Sequence, residues 1–333
     1  MTPKNSFTYP LNPAQQKTLL TILRSGNFLP IEVPHTRVAV EGDRCRINLY
    51  KSGKCLVQGK GAEDFVTFTL EPLVLKQASL GYEDVLNPEM SQPHFGVDES
   101  GKGDFFGPMV VAAAYVDASL ADAMRELDVK DSKRITSDKK AMEIGQKLRK
   151  LLGPRHTIVK IGPEAYNRLY AKMRNVNTLL AWAHARAIEN MLDAVPSCPR
   201  AVSDQFGNER LIRNALLKKG RSIKLEQRHR AESDLAVAAA SILAREAFLV
   251  ALLRMGKEYD IKIPKGASAA VQDVAVEIAR KHGPEVLLRT VKCHFKTTDT
   301  VLGKVGSDRA ALGPEGQAVS ATVADRNSFR RKP

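Results

Sequence analysis

The run from Phe95 to Pro108 constrains this chain more than any other stretch. A short apolar segment, His94 to Val97, ends in two adjacent carboxylates, Asp98 and Glu99, and passes at once into Gly101-Lys102-Gly103. The residues before it, and Met109 to Val116 after it, read as strands, so the acids are expected on a rigid sheet. A strand that ends in acids and turns into glycines sets negative charge beside exposed backbone amides. That arrangement suits a divalent metal next to a phosphate-bearing substrate.

One rival reading fails on its context. Gly96 to Lys102 matches the Gly-x-x-x-x-Gly-Lys part of a phosphate-binding P-loop, but Gly103 stands where that loop needs Ser or Thr for magnesium. A P-loop also opens a helix, whose N-terminal amides carry the phosphates. Here Phe106-Gly107-Pro108 leads into a β-branched and alanine-rich run instead.

The chain has 333 residues, enough for a catalytic domain and a smaller one, and its 43% hydrophobic content is that of a globular protein. Lys and Arg outnumber Asp and Glu by 51 to 37, giving +14, which favours a polyanionic partner. Cys45, Cys55, Cys198 and Cys293 form no close pairs, so neither a zinc cluster nor a disulfide framework is expected. No stretch approaches the roughly eighteen uninterrupted apolar residues of a membrane span, and the N-terminus has no export pattern. The expectation is a cytoplasmic monomer with no membrane association.

Organisation changes near residue 90. Asn12, Pro13 and Gln15 predict a capped helix start, followed by Leu19, Leu20, Ile22 and Leu23. Strands are expected at 37–40, 45–50, 54–58 and 66–70, with hairpins at Glu41-Gly42-Asp43 and Lys51-Ser52-Gly53. One helix on a curved antiparallel sheet makes a small α+β module over 1–88. From 89 to 304 strand and helix alternate. A helix follows a cap at Thr136 or Ser137, strands fall at 156–161, 200–203 and 221–226, and helices at 177–192, 231–255 and 266–282. Such alternation predicts a three-layer α/β domain. From about 305 large apolar residues become scarce, so 305–333 is expected to be a flexible basic tail.

Asp98-Glu99-Ser100-Gly101-Lys102-Gly103-Asp104, then Gly107-Pro108, resembles the signature of the type 2 and type 3 ribonucleases H. The resemblance continues through Lys130-Asp131-Ser132-Lys133, Asn175 to Ala181, Ser203-Asp204-Gln205-Phe206 and Ala236 to Arg245, and is nearest the type 3 branch. It implies a ribonuclease H-like catalytic domain with a mixed sheet, preceded by a TATA-binding-protein-like domain that binds substrate. The implied activity is hydrolysis of the RNA strand of RNA–DNA hybrids by two-metal-ion catalysis with Mg2+ or Mn2+, leaving 5′-phosphate and 3′-hydroxyl ends. Two alternatives stand beside it: a type 2 activity that incises at single ribonucleotides in DNA, and a non-catalytic hybrid-binding protein.

The two-metal route needs two cations about 4 Å apart, and magnesium takes oxygen ligands. The chain offers Asp98 and Glu99 at one strand end, Asp204 at a second, and Glu232 or Asp234 before the alanine-rich helix. In the resembling family the fourth acid precedes that helix, which points to Glu232 and leaves Asp234 in reserve. Gly101, Lys102 and Gly103 correspond to the tripeptide that contacts the ribonucleotide, where the 2′-hydroxyl separates RNA from DNA. Lys133 and Arg134 meet phosphates or form an exposed pair; Asn175 and Asn177 cap their helix or touch nucleic acid. In the amino-terminal module Lys51, Lys54 and Lys60 grip the duplex or guard a sheet edge. His294, Asp104 and Asp131 read as structural.

Overall fold

The Asn12 side chain accepts a hydrogen bond from the Gln15 amide at 2.9 Å, and the Gln15 side chain accepts one from the Asn12 amide at 2.9 Å. This closed capping box, with Pro13 in the first turn, starts helix α1 (Pro13–Ser25). The computed structural model describes residues 5–42, 44–76, 91–127, 129, 135, 137–204, 209–216, 220–228, 231 and 234–319. It divides into two units, Met1–Met90 and Ser91–Pro333.

In the first unit five antiparallel strands stand in the order β1 (Ser6–Pro10), β5 (Lys54–Gln58), β4 (Cys45–Tyr50), β3 (Thr36–Gly42), β2 (Leu29–Pro30). Leu19 and Leu23 of α1 share a core with Ile47, Leu49, Cys55 and Val57 on the inner sheet face. The outer pair β1 and β2 was not anticipated from sequence, and the expected strand at 66–70 is a helix. α2 (Ala62–Phe65) runs on as a wider π-type helix, Val66–Leu75. A strand would put Val66, Phe68 and Leu70 on one face. Instead Val66, Leu70 and Val74 are buried, four residues apart, while Phe68 is 73% exposed. The β-branched Val66, Thr67 and Thr69 carried the misleading local propensity, which packing overrides.

The second unit is built on a mixed sheet ordered β10 (Lys224–Arg228), β9 (Arg200–Asp204), β6 (His94–Ser100), β7 (Met109–Val116), β8 (His156–Ile161). β6 pairs parallel with β9 and antiparallel with β7. Helices follow as α3 (Ala118–Glu126), α4 (Asp138–Leu152), α5 (Pro163–Met173), α6 (Val176–Ala194), α7 (Glu209–Ala215), α8 (Leu235–Glu258) and α9 (Ala269–His282). Alternation along β7 sorts them into layers. Val110, Ala112, Ala114 and Val116 belong to the core with α4 and α8, whereas Met109, Val111 and Ala113 belong to the core with α5 and α6. The three-layer reading therefore holds. α8 is long and apolar enough to cross a membrane, yet here it is a core helix, largely buried between sheet and α4.

Boundaries moved where side chains close the local backbone. α8 begins at Leu235 rather than 231, because Asp234 is its N-cap. The last strand starts at Lys224, after a single turn at Gly220–Ser222. The tail reading is corrected for residues 305–319, which form turns at Arg309–Leu312 and Gly313–Gly316, with Leu312 and Ala318 buried. A polar anchor does what apolar content did not suggest. The Arg309 guanidinium donates to the carbonyls of Cys293 at 2.9 Å and Gly316 at 2.6 Å, and pairs with Asp299 at 2.5 Å. Residues 320–333 lie outside the described residues.

Candidate active site

The pairing of Val97 with Ser203 in the parallel β6–β9 ladder makes Asp98 and Asp204 the next residues along two neighbouring strands. Because strand side chains alternate, Gly96, Asp98, Val202 and Asp204 turn to one face. That face is covered by α8. A Cβ on Gly96 would run into the backbone of Ala236 and Val237, and Val202 packs with Ala231 and Val237. Asp98 accepts a hydrogen bond from Ser241 of α8, and Asp204 Oδ1 accepts one from the Ala231 amide at 3.2 Å.

Glu99 points the other way, toward α6. Its Oε2 accepts from His184 Nε2 at 3.1 Å, and its Oε1 lies 3.7 Å from Lys102 Nζ. His184 Nδ1 is 3.2 Å from Ser203 Oγ, which in turn lies 3.0 Å from the Asp204 carbonyl oxygen. His184 is fully buried and was not singled out from sequence. The available signal was one imidazole beside the inward stripe of Leu180, Ala183 and Ala187.

The two neighbouring acids are driven apart electrostatically. Burial raises the Asp98 pKa to about 7, and the adjacent Glu99 and then Asp204 charges add to the rise against the Ser241 bond. Burial pushes Glu99 upward too, but the His184 hydrogen bond and the Lys102 ammonium outweigh it and hold its carboxyl below the usual value. Carboxylates crowded at the ends of two neighbouring strands repel each other, and a divalent cation is the charge that relieves them. The donors are all hard oxygens, which fits Mg2+ or Mn2+. Among the described residues no group of three or more His, Cys, Asp or Glu side chains closes around a metal position. The acids form an open corner, with Glu99 drawn off by His184.

Asp234 is not part of that corner. Its Oδ1 accepts from the Ala236 and Val237 amides at 2.9 and 3.1 Å, and both its oxygens lie 3.0 Å from His94 Nε2. It is therefore a buried helix cap tied to the sheet, which removes it as the reserve acid. Glu232, Lys133, Arg134 and Asp131 lie outside the described residues. Gly101, at φ +87°, is a position where a Cβ would strike the Pro108 carbonyl oxygen and Phe248 ring, whereas Gly103 faces open space. Asn175 is the N-cap of α6, accepting from the Asn177 and Thr178 amides. Asp104 accepts from the Gly266 amide at 2.6 Å. His294 is buried among Tyr166, Tyr170 and Phe295, and burial, helped by Lys292 and Arg309, lowers its pKa to about 3. In the first unit Lys51, Lys54 and Lys60 are all exposed. Lys51 and Lys54 flank the β4–β5 turn, but Lys60 follows the far end of β5, so the three do not share one turn.

The chain is similar to known proteins over most of its length. The family model for Ribonuclease HII matches residues 95–298. The Ribonuclease HIII of Protochlamydia amoebophila is 42% identical over 301 residues, spanning 90% of this chain and 98% of that protein. The crystal structure of Bst-RNase HIII in complex with Mn2+ is 28% identical and superposes with a TM-score of 0.63, covering 90% of this chain and 99% of its own. The ribonuclease H2 of Pyrococcus horikoshii shares the fold at 19% identity, with a TM-score of 0.54 over 65% of this chain and all of that one.

Proposed function

This chain belongs to the ribonuclease HII family, whose members are hydrolytic nucleases, and on that premise we propose that it cuts the RNA strand of RNA–DNA hybrids. The observation that carries the proposal is the β6–β9 register, which delivers Asp98 and Asp204 side by side next to Glu99 and the Gly101–Gly103 turn. Asp98, Glu99 and Asp204, with Glu232, are the proposed ligands of Mg2+ or Mn2+; the Mn2+ complex of Bst-RNase HIII supports a divalent ion. Bound there, the cations supply Lewis acidity at the scissile phosphate and an activated water.

The protein's own groups do the rest. Asp98 and Asp204 gather negative charge at the strand ends, and Glu99 stays ionised because His184 and Lys102 stabilise its charged form. Gly101 turns the chain tightly enough for backbone to approach a sugar, so the tripeptide can test for the 2′-hydroxyl. Lys102, 3.7 Å from Glu99, is proposed to meet a phosphate of the bound strand. Water attacks phosphorus in line, the P–O3′ bond breaks, and the products carry a 3′-hydroxyl and a 5′-phosphate. The exposed Lys51, Lys54 and Lys60 are proposed to hold the duplex backbone through salt-sensitive contacts.

Three labelled substrates test this reading: a hybrid, a DNA duplex with one ribonucleotide, and double-stranded RNA, each with Mg2+, Mn2+ or chelator. Cleavage of the hybrid within its RNA tract, dependent on metal, is the expected result. Cutting confined to the single-ribonucleotide duplex would assign the type 2 activity instead, and metal-independent cutting would sink the carboxylate site.

A further inference from the structure

The segment that follows Gly101-Lys102-Gly103 is held from behind by a residue far along the chain. Lys292 is fully buried, and its Nζ donates to three main-chain carbonyls: Asp104 at 2.8 Å, Gly107 at 2.8 Å and Phe106 at 3.3 Å. An ammonium group has three donors and no acceptor, so these carbonyls match its capacity. The backbone reinforces the grip. The Lys292 amide donates to the Phe105 carbonyl at 2.9 Å, the Gly107 amide donates to Thr290 at 3.0 Å, and Phe106 forms a bridge with Val291. On the opposite side Asp104 Oδ1 accepts from the Gly266 amide, and the Phe105 amide donates to the Gly266 carbonyl at 2.9 Å.

Stability alone does not account for this lysine. A buried ammonium bonded to neutral carbonyls bears a large desolvation penalty. Burial lowers its pKa to about 7, with the Asp104 charge opposing the fall. An apolar side chain of similar volume would avoid that penalty but would leave the carbonyls of Asp104, Phe106 and Gly107 without this donor, and the segment without its brace. What the ammonium uniquely provides is one point that gathers three carbonyls of the short segment 104–107, and so fixes the path by which the chain leaves the glycine tripeptide. Gly101 already packs on the Pro108 carbonyl and Phe248, so residues 101 to 108 form one arch with Lys292 inside it.

We propose that Lys292 is a positioning residue for ribose recognition: by bracing residues 104–107 it holds Gly101-Lys102-Gly103 in the shape that distinguishes an RNA strand from a DNA strand. The inference rests on the proposed function, in which the tripeptide meets the ribose. It makes Lys292 act on substrate choice and affinity, with the hydrolytic step left to the carboxylates.

The test uses the full-length protein and Lys292→Met, with folded fraction and melting temperature measured for each. For the variant, KM for the hybrid is expected to rise about tenfold, and its preference for binding hybrid over DNA duplex of the same sequence to fall about tenfold, with kcat per folded molecule little changed. An unchanged KM and unchanged preference would overturn the proposal, as would a fall in kcat alone. Should Lys292→Met fail to fold, Asp104→Ala loosens the same arch at a partly exposed side chain. It is expected to shift KM and preference in the same direction, and no shift overturns the proposal. The wild-type control separates the two readings. A wild-type protein that leaves the hybrid intact defeats the proposed function, whereas an active wild type with an indifferent Lys292→Met defeats only the role of Lys292.

Discussion

His184 Nε2 meets Glu99 Oε2 at 3.1 Å while the other ring nitrogen lies 3.2 Å from Ser203 Oγ, so one buried imidazole ties the end of β6 to the end of β9. It orients a carboxylate whose neighbour, Asp98, faces the opposite helix. Groups that hold a ligand from behind typically govern metal affinity by about ten- to a hundredfold. His184→Ala is therefore expected to raise the Mn2+ concentration for half-maximal hybrid cleavage by that order. A metal titration showing no displacement would mean that Glu99 needs no such support.

Asp98 gives a pH dependence with a definite sign. Its folded pKa of about 7 is above the ordinary carboxylate value, so the proton binds the folded state more tightly than the unfolded one. Its stabilising contribution in metal-free protein is complete below about pH 4 and is lost as pH rises through 7. Asp98→Asn removes the penalty. At pH 8 without metal the variant should melt higher than wild type, keep its hybrid affinity and lose cleavage by about a thousandfold or more. Melting curves at pH 4 and pH 8, run with a gel cleavage assay, check all three.

Asp234 should behave as a structural acid. Removing its side chain leaves the α8 N-terminus uncapped and strips the buried His94 ring of its carboxylate partner, leaving the Gln92 carbonyl on the other nitrogen. Losing a helix cap and a buried hydrogen bond together costs about 2–4 kcal/mol, so Asp234→Ala should lower stability in urea by that order. Specific activity of the fraction still folded should stay near wild type. An inactive variant of undiminished stability would return Asp234 to the metal site.

Two glycines should separate fold from recognition. Gly96 lies against the main chain of Ala236 and Val237, where no flexible side chain can give way. Gly96→Ala is expected to destabilise the catalytic unit by about 3 kcal/mol or more, because α8 must move off the sheet. Gly103 faces open space, so Gly103→Ala should leave the melting temperature within a degree or two while raising KM for the hybrid. Equal melting temperatures for the two variants would contradict the packing described.

Much of this arrangement was legible in one dimension. The Asn12 capping box, the β4–β5 hairpin, the α6 stripe of Leu180, Ala183, Ala187 and Met191, and the strand at 156–161 all follow from local pattern, and all appear as expected. Residues 66–70 were misread because β-branched residues favour a strand locally, while burial of Val66, Leu70 and Val74 imposes a helix. Arg309 shows the complementary failure: hydrophobicity marks 305–319 as a poor folding segment, yet five donors on one guanidinium pin it down.

Taken alone, the order of residues marked which acids are candidate ligands, that Asp98 and Glu99 lie near the end of a strand, and that a glycine-flanked lysine follows them. These are short-range properties, set by side-chain type and period. Only the folded chain decided that Asp98 shares a face with Asp204, that Glu99 turns to His184, that Asp234 caps α8, and that Lys292 lies inside the 101–108 arch. Those outcomes depend on strand register and on burial between segments distant in the chain, and no local pattern encodes which side of a sheet a remote helix will cover.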